Sequence, residues 1–252
     1  MQSLSVVIIC KNEVDVVGQT LQSLEGLCDD IIVYDNGSTD GTQRVVKQHS
    51  AQLHEGIFEG FGKTKNKAMA LAKNDWILCL DADEAIDEVL KKSLLEWEAP
   101  DETTVFEFAF KNFFQNKHLQ YGEWGQDYHV RLFNRKKVKW DEAPVHENLL
   151  LPSGAKTKRI KGFVLHKTMR NISDYRKKIQ RYAELGAEKY FRQGKKATWF
   201  KRKLSPFFTF INYYFLKLGF LDGKEGYACA RMTAHYTFLK YARLKELIDN
   251  SE

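Results

Sequence analysis

The stretch Trp76–Glu84 reads WILCLDADE, an unbroken apolar run that ends in three acids within four residues. A short aliphatic and aromatic run of this kind predicts a strand buried in a parallel sheet. Neighbouring carboxylates repel one another and are costly to desolvate, so Asp81, Asp83 and Glu84 indicate a binding site rather than a stabilising feature. Open α/β sheets bind ligands at the carboxyl ends of their strands, where two carboxylates one residue apart can hold a hard cation and a ribose.

A structural alternative exists for part of this acidic cluster. Acids favour the positive end of a helix dipole, and a helix that carries Leu90, Leu94 and Trp97 on one face is predicted next. That alternative accounts for Glu84 and Asp87, but less well for the two acids that precede the helix.

The preceding residues repeat the same strand–helix pattern. Strands are predicted at 4–10, 31–34 and 52–58, and helices at about 14–26, from Thr42, and at 64–73. Four such units in succession predict a parallel, doubly wound sheet. Three polar segments then fall at strand carboxyl ends, on one rim: Lys11–Glu13, Asp35–Thr42 and Asp81–Glu84. This coincidence favours a nucleotide-type site.

Three lysines mark the start of the predicted third helix. Lys63, Lys65 and Lys67 carry the wrong charge for a helix N-terminus by the dipole rule. A bound anion such as a diphosphate would resolve the conflict. The alternative is that these are simply three solvated side chains.

Beyond Pro100 the pattern changes to shorter strands, predicted at 105–110, 130–133, 145–151 and 163–166 with mixed directions. Trp124, with Glu123 and Asp127 nearby, is interpreted as an exposed ring that stacks on a sugar while acids bind its hydroxyls. A half-buried structural Trp is the alternative. His146, Glu147 and His166 lie on strand-like runs, where a histidine by itself is more often structural than a ligand.

The distribution of charge limits the classes of partner that the protein can have, and its cysteines indicate the cellular compartment. Residues 1–155 carry 16 basic and 25 acidic side chains, a net −9, whereas residues 156–252 carry 23 and 8, a net +15. This asymmetry points to an anionic partner of the basic half, either nucleic acid or a membrane surface. The four cysteines are scattered without CxxC pairing, which indicates reduced thiols in a cytosolic protein.

The basic half is predicted to be helical, with Ser173 as the cap of a helix that runs to Gln193. The 13 uncharged residues 204–216 are too few to cross a bilayer, which takes roughly 20. Aromatic residues beside lysine and arginine clusters are typical of a helix that lies in the interface of an anionic membrane. We therefore expect a membrane surface and not nucleic acid as the partner. A homodimer interface is the alternative.

Four segments in order resemble the nucleotide-sugar half of family 2 glycosyltransferases: LSVVIICKNE, IIVYDNGSTDGT, GFGKTKNKAMALA and WILCLDADE. The resemblance covers about the first 90 residues. It implies an α/β fold of the inverting GT-A type, Rossmann-like, with a mixed sheet and helices on both faces. We expect this domain over residues 1–170 and a helical, basic and aromatic extension over 171–252. Later segments, including WGQDYHVRLFNR and LGFLDGKEG, resemble the bacterial branch that adds glucose to the lipopolysaccharide inner core.

The resemblance implies roles for individual donor-side residues. Glu13 and Asp35 would contact the nucleoside, Lys65 would lie near the uracil or diphosphate, and Asp81 would face the ribose. Asp83 would ligate Mg²⁺ or Mn²⁺, as hard oxygen ligands do. His166 would complete the metal site.

On the acceptor side, the resemblance implies that Asp127 is the general base that takes the proton of the acceptor hydroxyl. An acid often precedes this Asp in the family, whereas Gln126 does here, so Glu123 and Glu147 remain alternative bases. Trp124, His146 and Glu147 would bind the acceptor.

The implied activity is transfer of a hexose, expected to be glucose, from a UDP-sugar to a lipid-anchored saccharide such as the lipopolysaccharide inner core. The enzyme would be cytoplasmic and peripheral on the inner membrane. Two rivals remain: an aspartate-nucleophile phosphatase, since Asp-x-Asp also follows an apolar strand there, and an inert membrane-bound carbohydrate-binding module.

Overall fold

The computed structural model describes residues 3–142 and 147–251. The strands in these ranges are β1 Leu4–Cys10, β2 Ile31–Asp35, β3 Gln52–Glu55, β4 Trp76–Asp81, β5 Glu84–Ile86, β6 Val105–Phe114, β7 Lys117–His118, β8 Asp127–Asn134, β9 Lys139–Trp140, β10 Leu149–Leu150 and β11 Thr157–Met169. The helices are α1 Val17–Ser23, α2 Thr42–Val46, α3 Phe61–Ala70, α4 Glu88–Leu95, α5 Ile172–Arg192, α6 Trp199–Ile211 and α7 Gly223–Asp249. A π-helical segment, Asn212–Leu216, and a 3-10 turn, Gly219–Asp222, connect α6 to α7.

Four parallel strands in the order β3-β2-β1-β4 confirm the predicted doubly wound half. Successive residues of β1 face opposite sides of the sheet, as the pleat requires. Val6 and Ile8 belong to one buried cluster with Leu21 of α1 and Leu90 of α4. Val7 and Ile9 belong to a second cluster with Met69 of α3. Helices therefore cover both faces, and β1 has no polar face.

The second half of the sheet is mixed, as predicted. β8 lies antiparallel to β4, and β6 lies antiparallel to β8, so the order continues as β4-β8-β6-β11-β5. β11 is antiparallel to β5, with His166 opposite Glu84. β9 and β10 form a separate antiparallel pair.

Several element boundaries differ from the sequence-based prediction. β3 ends at Glu55 rather than at 58, because Gly56 packs against the ring of Tyr34 and Ile57 is exposed. Glu84 lies in strand β5 and not at a helix start, whereas Asp87 does cap α4, accepting a hydrogen bond from Leu90 N at 2.8 Å.

Two further boundaries differ in the second half of the chain. The strand predicted over 145–151 is present in the described residues only as β10, and Val145 and His146 lie outside them. α5 begins at Ile172, so Ser173 is inside the helix and is not its cap.

The chain divides into two compact units. The first comprises residues 1–110 and 127–166, and the second comprises residues 111–126 and 167–252. The second unit contains α5, α6 and α7, and it has its own core around Phe114, Leu119 and Trp124. The proposed division into domains 1–170 and 171–252 stays a prediction.

Among the helices of residues 3–142 and 147–251, none has both the length and the apolar character that crossing a bilayer requires.

Strand β11 approaches the first turn of α4 closely at Gly162. This residue has φ +113°, and a Cβ at that position would overlap the backbone of Leu90. Gly154, which precedes β11, also has a positive φ, +75°, but nothing lies within 4 Å of where its Cβ would be. Gly162 thus permits the approach that holds β11, and with it His166, against β5.

We expect Gly162→Ala to destabilise the protein more than Gly154→Ala. Positive φ alone costs an L-residue about 1–2 kcal/mol, which Gly154→Ala should show. Overlap with backbone that cannot rotate away adds about 1–3 kcal/mol at Gly162. Urea unfolding of the two variants measures both values. Equal losses would show that β11 shifts without cost.

Candidate active site

The predicted rim is present at the carboxyl ends of the parallel strands. In the sheet register, Cys10 lies opposite Asp35, and Ile9 lies opposite Asp81. The ends of β1, β2 and β4 therefore meet at one edge, and the loops that follow them start there. This confirms the topology on which the nucleotide-type site was predicted.

The loops after β1 and β2 are joined by hydrogen bonds. Asn12, at φ 58°, donates its N–H to Ser38 Oγ and accepts the N–H of Thr39 at its side-chain oxygen, both at 2.8 Å. Glu13 N donates to Thr42 Oγ1 at 2.8 Å. A non-glycine residue with positive φ is uncommon, and here the bonds to the second loop hold it. The Glu13 backbone is thereby fixed at the rim.

Asp35 is fully buried and its carboxylate organises the second loop. It accepts hydrogen bonds from Ser38 N at 2.9 Å and from Gln43 Nε2 at 2.7 Å. Burial by itself would raise the pKa of Asp35, but these donors more than compensate and lower it. Its immediate role is therefore in shaping the loop.

The neighbouring residue Asn36 is a candidate that sequence reasoning missed. Its amide Nδ2 donates to Cys10 O at 3.1 Å, and its side chain is 7% exposed. Within the described part of the chain, no donor reaches Asn36 Oδ1. Buried acceptors are normally satisfied, so this oxygen is suited to accept a hydrogen bond from a ligand at the rim. The signal in the sequence was only its place after Asp35.

Lys65 is buried and links two carboxylates. It lies on α3, with Nζ at 3.1 Å from Asp81 Oδ1 and 3.1 Å from Glu147 Oε1, and 4.5 Å from the centre of the Trp140 ring. Burial alone would lower the pKa of Lys65, but Asp81 outweighs that effect and raises it. Lys65 is therefore a permanent cation beside the acidic segment.

Arg131 is a second buried cation that the sequence-based predictions missed. Its guanidinium donates two hydrogen bonds to the carboxylate of Glu84, from Nε to Oε2 at 2.9 Å and from one terminal nitrogen to Oε1 at 2.5 Å. The same nitrogen lies 3.4 Å from Asp81 Oδ2. Burial would lower the pKa of Arg131, but Glu84 and then Asp81 raise it. Since Arg131 is in strand β8, its neighbours became evident only from the sheet order.

Asp81 is consequently held between two cations. Burial would raise the pKa of its carboxyl, but Lys65 and then Arg131 lower it well below the usual range. Asp81 stays ionised, with each oxygen oriented by a different cation.

The lysines at the start of α3 have carboxylate partners in the chain itself. Lys63 lies 3.4 Å from Glu142, and Lys67 pairs with Glu59. Together with the Lys65 contacts, these pairs compensate the charges that the dipole rule disfavours. The charge pattern alone therefore no longer argues for a bound anion, and the donor-binding role of Lys65 stays a proposal.

Asp83 and His166 face one another next to this network. Asp83 Oδ2 is 3.5 Å from His166 Nε2, and both side chains are about one-fifth exposed, at 19% and 21%. Burial would lower the pKa of His166, but the hydrogen bond and charge of Asp83 raise it. The turn between β4 and β5 presents Asp83, and β11 presents His166.

Asp127, at the start of β8, pairs with His129 on the same strand. His129 Nε2 is 2.8 Å from Asp127 Oδ1. The ring of Phe110, opposite Asp127 in the β6–β8 register, lies edge-on to His129 at 4.8 Å between centroids and to His166 at 6.1 Å. Phe110 therefore separates the Asp127–His129 pair from the Asp83–His166 pair. His129 was not predicted to have a role.

Trp124 and Glu123 belong to the second compact unit. The predicted exposure of Trp124 is wrong: it is 8% exposed and packs edge-on against Tyr175 at 5.7 Å. A large apolar ring next to Phe114 and Leu119 gains more from this core than from solvent. Glu123 accepts a hydrogen bond from the Thr233 hydroxyl. His146 lies outside the described residues.

Comparison with known proteins gives this rim a context. A family model described as glycosyl transferase family 2 matches residues 5–148. The chain belongs to glycosyl transferase family 2. The match includes every rim segment described above and confirms the family that the motifs predicted.

Relatives that this glycosyltransferase matches over most of their length include a lipopolysaccharide core biosynthesis glycosyltransferase, LpsC, of Rhizobium meliloti. It is 28% identical over 96% of this chain and 91% of the relative. An uncharacterized glycosyltransferase of Rickettsia typhi is 24% identical over 98% of this chain and 88% of the relative.

Two solved structures are also similar. Staphylococcus aureus TarS, residues 1–349, matches with 13% identity and a TM-score of 0.49, covering 97% of this chain and 92% of that one. Glucosyl-3-phosphoglycerate synthase of Mycobacterium tuberculosis, in complex with Mg²⁺ and UDP, matches with 23% identity and a TM-score of 0.36, covering 44% and 43%. Both scores are below 0.5, so the GT-A assignment rests on the family match and on the strand order of this chain.

The GT-A fold implies a divalent cation, and the side chains at the rim determine whether the chain could ligate one. Among the described residues, no cluster of three or more His, Cys, Asp or Glu side chains is arranged to hold a metal. Mg²⁺ in nucleotide sites usually takes one or two carboxylates and completes its shell with water and substrate phosphates. Asp83 and His166, 3.5 Å apart, fit such a partial site, in which a diphosphate would supply the remaining oxygens.

We expect the buried pair Arg131–Glu84 to show strong coupling in a double-mutant cycle. Arg131→Met should cost about 3–5 kcal/mol, because it leaves Glu84, which is 1% exposed, without its cation. Adding Glu84→Leu to Arg131→Met should recover much of that loss, since an apolar pair removes the unpaired charge. Urea unfolding of both single variants and the double variant measures the coupling. Additive losses would contradict this pairing.

Proposed function

We propose that this family 2 glycosyltransferase moves a hexose, glucose, from a UDP-sugar to a lipid-anchored saccharide such as the lipopolysaccharide inner core, with inversion at the anomeric carbon. The observation that carries the proposal is the placement of two carboxylate–histidine pairs, Asp83–His166 and Asp127–His129, on either side of Phe110. One pair suits the diphosphate end of a donor, and the other suits an attacking hydroxyl.

The nucleoside end of the donor is assigned to the joined loops after β1 and β2. Glu13 is the proposed direct nucleoside contact, and Asp35 is proposed to serve the nucleoside through the loop that its buried carboxylate shapes. The unsatisfied Asn36 Oδ1 adds an acceptor for a base N–H. Asp81, kept ionised by Lys65 and Arg131, accepts hydrogen bonds from the ribose hydroxyls. Lys65 places a positive charge near the diphosphate.

Asp83 and His166 are the proposed protein ligands of Mg²⁺ or Mn²⁺. Such an ion, when bound, offsets the negative charge that develops on the departing diphosphate. The chain contributes two ligands of different kinds, one carboxylate oxygen and one imidazole nitrogen. Mg²⁺ prefers oxygen, whereas imidazole suits the later transition metals better, so this mixed pair favours Mn²⁺ over Mg²⁺.

Asp127 is the proposed general base. As the acceptor oxygen bonds to the anomeric carbon, the bond from that carbon to the diphosphate oxygen breaks, and the hydroxyl proton passes to Asp127. His129, 2.8 Å away, orients the carboxylate. Glu147 is a weaker candidate because Lys65 binds it at 3.1 Å, and Glu123 accepts the Thr233 hydroxyl.

The proposed class of acceptor, a lipid-anchored saccharide, is supported by a relative of this chain and not by the residues of the rim. The name of the LpsC relative associates it with lipopolysaccharide core synthesis. Glu147 is the described residue that we assign to acceptor binding, with His146 beside it in the chain. Trp124 offers no exposed ring for stacking. A lipid-anchored acceptor places the enzyme at the cytoplasmic face of the inner membrane.

The phosphatase rival fits this geometry poorly. An aspartate nucleophile needs an oxygen that is open to attack on phosphorus, whereas both oxygens of Asp81 lie against cations of the chain, at 3.1 and 3.4 Å. Release of phosphate from a generic phosphomonoester would support that rival.

Asp83→Ala should abolish the metal-dependent part of UDP binding, and Asp83→Asn should weaken it by at least about tenfold, because a metal ligand is lost. Isothermal titration of UDP with and without MnCl₂ measures this. Asp29→Ala, which removes an exposed carboxylate, is the control and should bind as the parent does. Near-normal transfer by Asp83→Ala in the presence of chelator would exclude this metal site.

Asp127→Asn should reduce kcat by about two to four decades with little change in UDP affinity, because the amide keeps the shape but cannot take the proton. Glu123→Gln and Glu147→Gln are the matched variants and should retain more activity. Steady-state transfer to a saccharide acceptor gives kcat, and titration gives the affinity. An active Asp127→Asn beside an inactive Glu123→Gln or Glu147→Gln would reassign the base.

A further inference from the structure

Helix α6 packs against α7 within the second compact unit through a side that carries two hydroxyls, those of Ser205 and Thr209, and the ring of Phe210, which lies edge-on to Tyr227. The Thr209 hydroxyl is 3.4 Å from the Thr237 hydroxyl, and Ser205, one turn earlier on α6, hydrogen-bonds the Tyr241 hydroxyl. Residues four apart lie on one face of a helix, so Ser205 and Thr209 define the side that α7 covers. A packed helix normally turns its apolar side inward.

The apolar side of α6 points away from α7. Phe200, Leu204 and Phe207 recur at spacings of four and three residues, about half a turn around the helix from Thr209, and Trp199 and Phe208 lie on either side of them, each about a quarter turn from Thr209. We name these five residues the outward apolar face. Phe200 is 67% exposed, Phe208 is 61% and Phe207 is 57%. The orientation of α6 is therefore the reverse of that of a usual surface helix, because these large apolar side chains face solvent and not the protein interior.

The exposed apolar surface continues beyond α6. Phe215 and Leu216 in the π-helical segment are exposed, as are Phe220 and Leu221 in the 3-10 turn. Phe210, which lies in the same uncharged stretch 204–216, is not part of this face: it stacks on Tyr214 at 5.1 Å and lies edge-on to Tyr227 of α7 at 5.8 Å.

The charge around this face has one sign. From Lys189 to Leu221 the chain contains eight Lys or Arg residues and no Asp or Glu. Around the helix, exposed Lys201 lies next to Phe208 at one border of the face, and exposed Lys203 lies within the face, between Trp199 and Phe207. Lysines in such places can extend their charged ends toward a negative surface while their stems stay in apolar surroundings.

We propose that the outward apolar face is a lipid-binding surface that inserts into the interface of an anionic bilayer, with α6 lying parallel to the membrane plane. At 1.5 Å per residue, its 13 residues extend about 20 Å, well short of the hydrocarbon thickness of about 30 Å. Large aromatic side chains with flanking lysines are the composition of such interfacial helices.

A second copy of the chain is the other partner that could cover an apolar face. Two copies face to face would bring two acid-free segments with eight cations each into contact, and like charges at an interface oppose association. Anionic lipid instead complements the charge. The proposal does not depend on the identity of the donor or the acceptor.

The test is co-flotation of the full chain with vesicles of phosphatidylcholine alone or mixed with phosphatidylglycerol. We expect binding to the anionic vesicles only, weakening as salt rises. Phe207→Ser/Phe208→Ser should reduce the bound fraction at least tenfold, whereas Leu71→Ser/Val89→Ser, which changes two exposed apolar residues of the first unit, should not. Lys201→Gln/Lys203→Gln should weaken binding about 25-fold, at about fivefold per lysine. Lys47→Gln/Lys92→Gln, with the same charge change, should have less effect.

Sedimentation velocity and UDP-sugar hydrolysis are measured on the same variants in the absence of vesicles. Retained hydrolysis shows that the fold and donor site are intact, so loss of vesicle binding reports on the face alone. Equal binding to neutral vesicles, or no effect of Phe207→Ser/Phe208→Ser, would overturn the proposal. Self-association that the same substitution abolishes, without binding to anionic vesicles, would assign the face to a homodimer instead.

Discussion

The candidate site depends on the compensation of one carboxylate, Asp81, by two cations from different elements. Lys65 reaches it from α3 and Arg131 from β8, at 3.1 and 3.4 Å. Neither cation could be buried without acids to neutralise it, and Glu147 and Glu84 complete the balance. The network therefore ties α3, β4, β5 and β8 together at the rim. A shift of any of these elements would leave a charge unpaired in a poorly hydrated place.

This compensation gives the two aspartates of the Asp81-Ala82-Asp83 turn different properties. Asp81 is surrounded by cations of the chain, which makes its carboxylate an oriented acceptor of hydrogen bonds. Asp83, two residues later, faces the imidazole of His166 at 3.5 Å. Pairs of ionisable groups in contrasting surroundings are how one short motif performs two tasks. The acidic turn therefore places a carboxylate that two cations orient next to a carboxylate that faces an imidazole, and the proposed cation site rests on this second carboxylate.

Local pattern predicted the parallel half of the fold well. The apolar runs of β1, β2 and β4 and the helical spacing between them are local properties, and the rim at their carboxyl ends followed from topology. The missed residues, Arg131, His129 and Asn36, owe their roles to partners set by sheet order or loop contacts. Glu84 was wrongly predicted to lie at a helix start because the sequence does not distinguish it from the two acids before it. Its partner Arg131 lies in β8 and becomes its neighbour only in the folded sheet. Trp124 was misjudged because acids beside it in the sequence say nothing about the core that surrounds its ring.

The orientation of α6 is the feature that local pattern could least predict, since the same residues would suit either direction of the apolar side. Burial of a large apolar side chain stabilises a protein by about 1.5–3 kcal/mol, so a helix governed by folding alone would turn Phe200, Phe207 and Phe208 toward α7. Instead α7 receives Ser205 and Thr209, whose hydroxyls find partners there in Tyr241 and Thr237. These hydroxyl pairs lie on the side of α6 that α7 covers, together with Phe210 beside Tyr227, whereas Phe200 and Phe207 lie on the opposite side. An exposed aromatic side of this kind would gain free energy from contact with a medium less polar than water. The surface of an anionic bilayer is the medium that we propose, because the segment from Lys189 to Leu221 on which α6 lies is basic and contains no Asp or Glu.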